Sequence, residues 1–235
     1  AERVGAPLAS EHIAFVRAGA RGRPRGAAAV FTLERRSGKV RSLGSTPNAG
    51  PVLLGWAPGN GPVYAADRIG VSQGIYSFPP KGKPSLLYQP ETGVIHNEAF
   101  FAGSGNRGRF AFVRESPGDP PEVFSWNPES GDPTRLSSAN RHLPEVHACG
   151  TTVIRCKSND GQEIQGLLSQ PAEPSAPAPL AVLLHGGPAG VFSAGFDGGD
   201  PMFPVASLCA AGYRVLRPNP RGSNGYGAEF RGQLY

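Results

Sequence analysis

Ala14-Phe15-Val16-Arg17 returns letter for letter as Ala111-Phe112-Val113-Arg114, and Val63-Tyr64-Ala65-Ala66 falls between them, giving intervals of 49 and 48 residues. A fixed period of this size marks a repeat architecture. Each copy is followed by a second run rich in β-branched or aromatic residues: Val30-Phe31-Thr32-Leu33, Ile75-Tyr76-Ser77-Phe78 and Val123-Phe124-Ser125-Trp126. Turns containing Gly38, Gly82 and Gly131 come next, then short strands at 40–43, 85–88 and 134–136. Two copies also have an upstream strand, at 52–56 and 98–101. Four strands per unit of this length is the pattern of a β-propeller blade. The first copy lacks an obvious strand before His12, so residues 1–145 read as about three C-terminal blades of a partial β-propeller. A small open β-sandwich is the alternative.

Beyond residue 144 the pattern changes to that of a mixed α/β fold. Runs at 151–156 and 164–168 flank Asn159-Asp160-Gly161, which predicts a hairpin. A Pro/Ala-rich connection over 170–179 leads to Leu180-Ala181-Val182-Leu183-Leu184, a continuous apolar run that predicts a strand buried on both faces. Phe203, Val205, Ala206, Leu208, Cys209 and Ala211 recur at helical spacing, and Gly212 suits the position just past a helix end. Another strand follows over 213–217. Strand, helix and strand in that order predict a parallel pair.

Chemistry concentrates in two glycine-rich loops. His185-Gly186-Gly187-Pro188 stands at the C-terminal end of the apolar strand, where open α/β sheets bind ligands. Glycines there let backbone N–H groups approach a reacting oxygen, and an oxyanion donor of this kind is worth about 100- to 1,000-fold in rate. A tight strand-to-helix turn is the plain alternative for this motif on its own. Asn219-Pro220-Arg221-Gly222-Ser223-Asn224-Gly225-Tyr226-Gly227 ends the next strand, and one sheet would set the two loops side by side. Gly70-Val71-Ser72-Gln73-Gly74 also fits the nucleophile pattern G-x-S-x-G, but it precedes a strand inside the repeat, so Ser72 reads as a turn residue.

Composition narrows the field. The net charge of +5 is carried mostly by dispersed arginines, and the densest basic cluster, residues 21–26, has no aromatic residue interleaved to stack on bases, which argues against nucleic acid. No apolar run reaches membrane length, and the first residues carry no charged-then-hydrophobic leader pattern. The compartment stays open, with the cytoplasm favoured. Three cysteines, Cys149, Cys156 and Cys209, lack C-x-x-C spacing and imply neither a disulfide framework nor a zinc site. His142, His147 and Cys149 are close in sequence but read as linker residues, and no cofactor is implied.

These motifs resemble the prolyl oligopeptidase family of serine peptidases, especially its acylaminoacyl-peptidase branch. The resemblance spans nearly the whole chain and rests on Glu122-Val123-Phe124, residues 158–164, HGGP at 185–188, Ala211-Gly212-Tyr213 and NPRGSNGYG at 219–227. It implies a propeller joined to the N-terminal half of an α/β-hydrolase domain, here residues 146–235. It further implies that the Gly187 amide helps to stabilise the oxyanion, with His185, Gly186 and Pro188 shaping the loop. Tyr226 has two readings at this point, as an oxyanion donor or as a packed ring. The resemblance places Ser, Asp and His of the triad beyond Tyr235, so this polypeptide alone is expected to be inactive. The expected parent function is hydrolysis of short peptides, releasing an aminoacyl or acylaminoacyl residue through a serine acyl-enzyme. A carboxylesterase and a non-enzymatic propeller binding module are the rivals. The strand at 180–184 should have a bare edge, which invites self-association.

Overall fold

The computed structural model describes residues 11–19, 27–57, 61–96, 100–104, 107–129, 131–143, 149–172, 177–187 and 189–233. The basic cluster at 21–26, His147 and Pro188 lie outside these, as does the stretch 144–148 around the expected domain boundary.

The repeat folds as three successive antiparallel sheets. The first contains β1 (His12–Ala18), β2 (Ala28–Glu34) and β3 (Val40–Gly44). The second runs in sequence order through β4 (Val52–Trp56), β5 (Val63–Ile69), β6 (Ser72–Phe78) and β7 (Ser85–Tyr88). In the third, β8 (Val94–Ile95) and β9 (Phe100–Ser104) both pair with β10 (Arg107–Glu115), which is followed by β11 (Glu122–Trp126) and β12 (Thr134–Arg135). Of the strand expected at 98–101, residues 100 and 101 fall in β9, 98 and 99 lie outside the described residues, and β8 is an additional short strand upstream. Among the described residues the three sheets do not close a ring.

Period-two alternation makes these sheets stack, because it loads both faces of the middle one. Val63, Ala65, Tyr76 and Phe78 pack against Ala14, Val30 and Leu43 of the first sheet. From the opposite face, Ala66 and Ile75 meet Ile95, Phe110, Phe112 and Trp126 of the third. All of β6 is consequently buried. Ser72 opens that strand and donates its hydroxyl to the Gly93 carbonyl at 2.9 Å, so it is a buried strand residue, not the turn residue expected.

The rest of the described chain forms a mixed sheet. β13 (Cys149–Lys157) and β14 (Glu163–Pro171) make the expected hairpin, and the sheet order is β13-β14-β16-β15. β15 (Leu180–Val182) pairs in parallel with β16 (Arg214–Asn219) across α1 (Val205–Ala210). A one-turn helix, α2 (Ala228–Gly232), follows the second loop. Two expectations are corrected here. β15 has the bare edge expected of it but is not buried on both faces, since Leu180, Val182 and Leu184 are 54, 51 and 68% exposed while Leu183 packs inward. Continuous hydrophobicity reported what the strand can bury, not what lies against it.

The second correction concerns the cysteines. Cys149 opens β13 and Cys209 lies on α1, which packs over that strand, and their Cα atoms are 5.7 Å apart in a disulfide. Sixty residues separate the pair in sequence, so spacing could not announce it. Cys156 is free and exposed.

Candidate active-site loop

The loop after β15 begins where parallel pairing ends, with the Leu183 amide donating to Leu216 at 2.9 Å. Two glycines in it are obligatory. A side chain on Gly187, whose φ is +152°, would collide with the Gly190 and Ala189 nitrogens, and one on Gly190 would meet the Gly186 carbonyl and the His185 ring. A Cβ on Gly186 would meet nothing within 4 Å. Sequence reasoning missed Gly190, whose requirement comes from close approach within the loop. Among the described residues the Gly187 amide is not taken up by backbone pairing.

His185 is fixed by the second loop. Ser223, fully buried, donates its one hydroxyl proton to the Pro220 carbonyl at 2.6 Å, so at 3.1 Å it accepts from His185 Nε2–H. His185 Nδ1 lies 3.1 Å from the Gly186 oxygen, and the ring meets Phe192 edge-on. Asn224 ties the loops again, its backbone amide donating to Gly190 at 3.2 Å and its side chain to Ala189 at 2.8 Å. Asn219, also fully buried, brackets Phe192 by accepting from its amide and donating to its carbonyl.

Tyr226 faces this second network. Its hydroxyl donates to Gln165 at 2.8 Å and accepts from Asn219 at 3.0 Å, while its ring lies against Phe230. Burial pushes its pKa up to about 12, against a smaller opposing contribution from Asn219, so it stays protonated across the ordinary pH range.

A cavity of about 520 Å³ opens beside His185. Phe192 and Phe203 supply apolar wall, and the third sheet contributes His96 and Glu115, whose Nε2 and Oε1 are 3.3 Å apart. Its floor includes Arg217, which bonds Asp197 at 2.7 Å and the Ser169 hydroxyl at 3.0 Å. Gly186, Gly187 and Tyr226 are not among the residues lining this cavity.

The repeat and the mixed sheet meet along a polar seam that the sequence did not reveal. Gly70 donates its amide to Gly225 at 2.8 Å, and Asn48 accepts from the Gly225 amide at 2.8 Å while donating to Asp67 at 2.8 Å. Gly225 has φ of +98°, and a side chain there would run into the Gly70 carbonyl. No group of three or more His, Cys, Asp or Glu side chains among the described residues could hold a metal ion. No described helix is long and apolar enough to cross a membrane.

No family model matches the chain. Among curated proteins it is 29% identical over 192 residues to the uncharacterized peptidase YuxL of Bacillus subtilis, covering 77% of this chain and 28% of that protein. It is 27% identical over 206 residues to a probable dipeptidyl-peptidase 5 of Emericella nidulans, covering 85% and 28% respectively. Its fold matches acylaminoacyl peptidase of Pyrococcus horikoshii with a TM-score of 0.67 at 22% identity, over 94% of this chain and 32% of the other. A prolyl endopeptidase structure matches with a TM-score of 0.64 at 16% identity, over 97% of this chain and 32% of the other. The chain thus spans less than a third of the length of these curated relatives.

Proposed function

We propose, from the premise that the chain's relatives are peptidases of the prolyl oligopeptidase family, that it is part of a serine peptidase cleaving short peptides through an acyl-enzyme. The observation that carries this reading is the loop that follows β15: it leaves a parallel strand, Gly187 and Gly190 in it admit no side chain, and His185 is held by the second loop. In this reading the Gly187 amide stabilises the oxyanion, Gly186 leaves room above it and His185 shapes the loop. Tyr226 serves as a packed, hydrogen-bonded support for the second loop, because its proton is already committed to Gln165.

Residues 1–145 are read as three blades of a propeller and residues 146–235 as the start of the hydrolase domain. Three stacked sheets repeating at a near-constant interval support this division. The substrate is a peptide of a few residues, releasing an aminoacyl or acylaminoacyl unit, and the cavity between the third sheet and His185 supports a small occupant. The bare edge of β15, with its exposed leucines and valine, is a surface for self-association in the isolated chain. The Cys149–Cys209 pairing favours an oxidising compartment over the cytoplasm.

The test is expression of the complete reading frame, followed by assay on aminoacyl, dipeptidyl and acylaminoacyl arylamides and by labelling with a serine-directed fluorophosphonate. Labelling together with release of the arylamine is expected. Absence of both from a folded protein would sink the reading.

A further inference from the structure

A second cavity, of about 330 Å³, lies on the seam, lined by residues of the middle sheet and by Asn224 and Arg231 of the mixed part. Its chemistry is cationic and amide-rich. Arg68 and Arg231 both line it, together with Gln73, Asn48 and Asp67. The one carboxylate is already saturated. Asp67, 3% exposed, accepts from Asn48 Nδ2 at 2.8 Å and the Arg68 amide at 2.7 Å through Oδ1. Through Oδ2 it accepts from the Gly50 amide at 2.9 Å and from the Thr46 hydroxyl. A carboxylate offers about four lone-pair sites, so these four donors leave none for the Arg68 guanidinium, which feels Asp67 through its field alone. Burial holds the Arg68 pKa below its usual value, with the Asp67 charge opposing that shift, so an incoming anion would meet a partly desolvated cation.

We propose that this cavity is a subsite for the C-terminal carboxylate of a peptide, with Arg68 as the ion-pairing donor and Asn224 and Gln73 as polar wall around it. The inference rests on the peptidase reading for the choice of peptide over other carboxylates. A guanidinium presents two parallel N–H donors that match both oxygens of a carboxylate, a geometry that a C-terminal amide cannot reproduce. The cavity also communicates with the loop carrying the proposed oxyanion donor. Asn224, which lines it, donates to the Ala189 and Gly190 carbonyls, so occupancy of the subsite and the conformation of that loop share a residue. A peptide held by its C-terminus here would be selected for shortness and for a free end.

The experiment is isothermal titration of the full chain with tetraalanine and with tetraalanine amide, using wild type, Arg68→Gln and Arg68→Lys. The free acid is expected to bind at least about 10-fold more tightly than the amide to wild type, the range of one charge-assisted hydrogen bond. Arg68→Gln should bring the ratio near one, and Arg68→Lys should keep part of it. Equal affinity for acid and amide in wild type, or an unchanged ratio in a folded Arg68→Gln, overturns the proposal. Displacement of the peptide by inorganic phosphate at equal concentration also overturns it, since that marks an unselective anion cradle. The acid-to-amide comparison in wild type needs no variant, so an Arg68→Gln that fails to fold leaves the proposal testable. Binding is read on this chain and turnover on the complete reading frame: loss of the acid preference with hydrolysis by the complete protein intact refutes the subsite alone, and acid preference without hydrolysis by the complete protein refutes the catalytic reading alone.

Discussion

Replacing Asn48 by alanine should loosen the seam more than any other single truncation of an uncharged side chain there. Asn48 is buried at 4% exposure and uses both ends of its amide, the oxygen toward the Gly225 N–H and the nitrogen toward Asp67. Alanine leaves the Gly225 N–H without that acceptor. Asp67 suffers less, because Thr46, Gly50 and the Arg68 amide remain bonded to it. The bond from Arg231 to the Asn48 backbone oxygen, 3.2 Å, survives any substitution. The part-buried Gly225 N–H and, at 3.4 Å, the Gly227 N–H lose their acceptor, and with one weakened carboxylate this amounts to about 2–4 kcal/mol. At about 2–4 °C per kcal/mol for a chain of this size, Tm should fall by about 5–15 °C. Scanning calorimetry supplies that number, and hydrogen exchange at the Gly225 amide locates the loss. Asn48→Asp should be at least as damaging at neutral pH, since it keeps the acceptor but sets a second carboxylate against Asp67. A Tm within 1 °C of wild type for Asn48→Ala, with Gly225 protection unchanged, would refute the assignment of the seam to this residue.

Three further outcomes follow from buried polar groups and the disulfide. Asp197→Ala should destabilise the chain by about 3–5 kcal/mol in urea titration, because it strands the guanidinium of Arg217, 7% exposed at the side chain, in an interior ion pair. Reduction of Cys149–Cys209, or its replacement by two serines, should lower stability by about 4 kcal/mol on the chain-entropy argument for a 60-residue separation, seen as a lower Tm in dithiothreitol. Glu122 should confer acid sensitivity on the third sheet. The Ser137 hydroxyl first, then the Asn140 amide, Ala139 amide and Arg135, hold its pKa at about 2 against burial, below the 4.5 of a free glutamate. A depressed folded pKa means that its stabilisation is complete above about 4.5 and is lost as pH falls toward 2, so wild type and Glu122→Gln should converge in Tm over that window.

The sheets of the repeat were legible because their alternation is local: each strand of the middle sheet carries its own two-faced pattern, whatever lies beyond. β13, β14, α1 and β16 were legible for the same reason, marked by Asp160-Gly161 and Gly212. What escaped is non-local. The disulfide needs the packing of α1 on β13, the need for glycine at 190 depends on how the loop folds back on His185, and Asn48 reaches a loop 177 residues away. β15 shows the limit in the other direction, since residues 180–184 record an apolar strand, and its bare edge was expected, but not how far Leu180, Val182 and Leu184 stand exposed.

The backbone contact between Gly70 and Gly225 also constrains how such a molecule can be reassembled. Two turns that touch main chain to main chain, each without a side chain to yield, form a lock in which both halves must keep their length. A chimera that takes the repeat from one homologue and the mixed sheet from another therefore has to import the hairpin tip at 70 and the loop at 225 as a matched set. Recombination within this architecture should be tolerated in the outer strands and penalised at that junction.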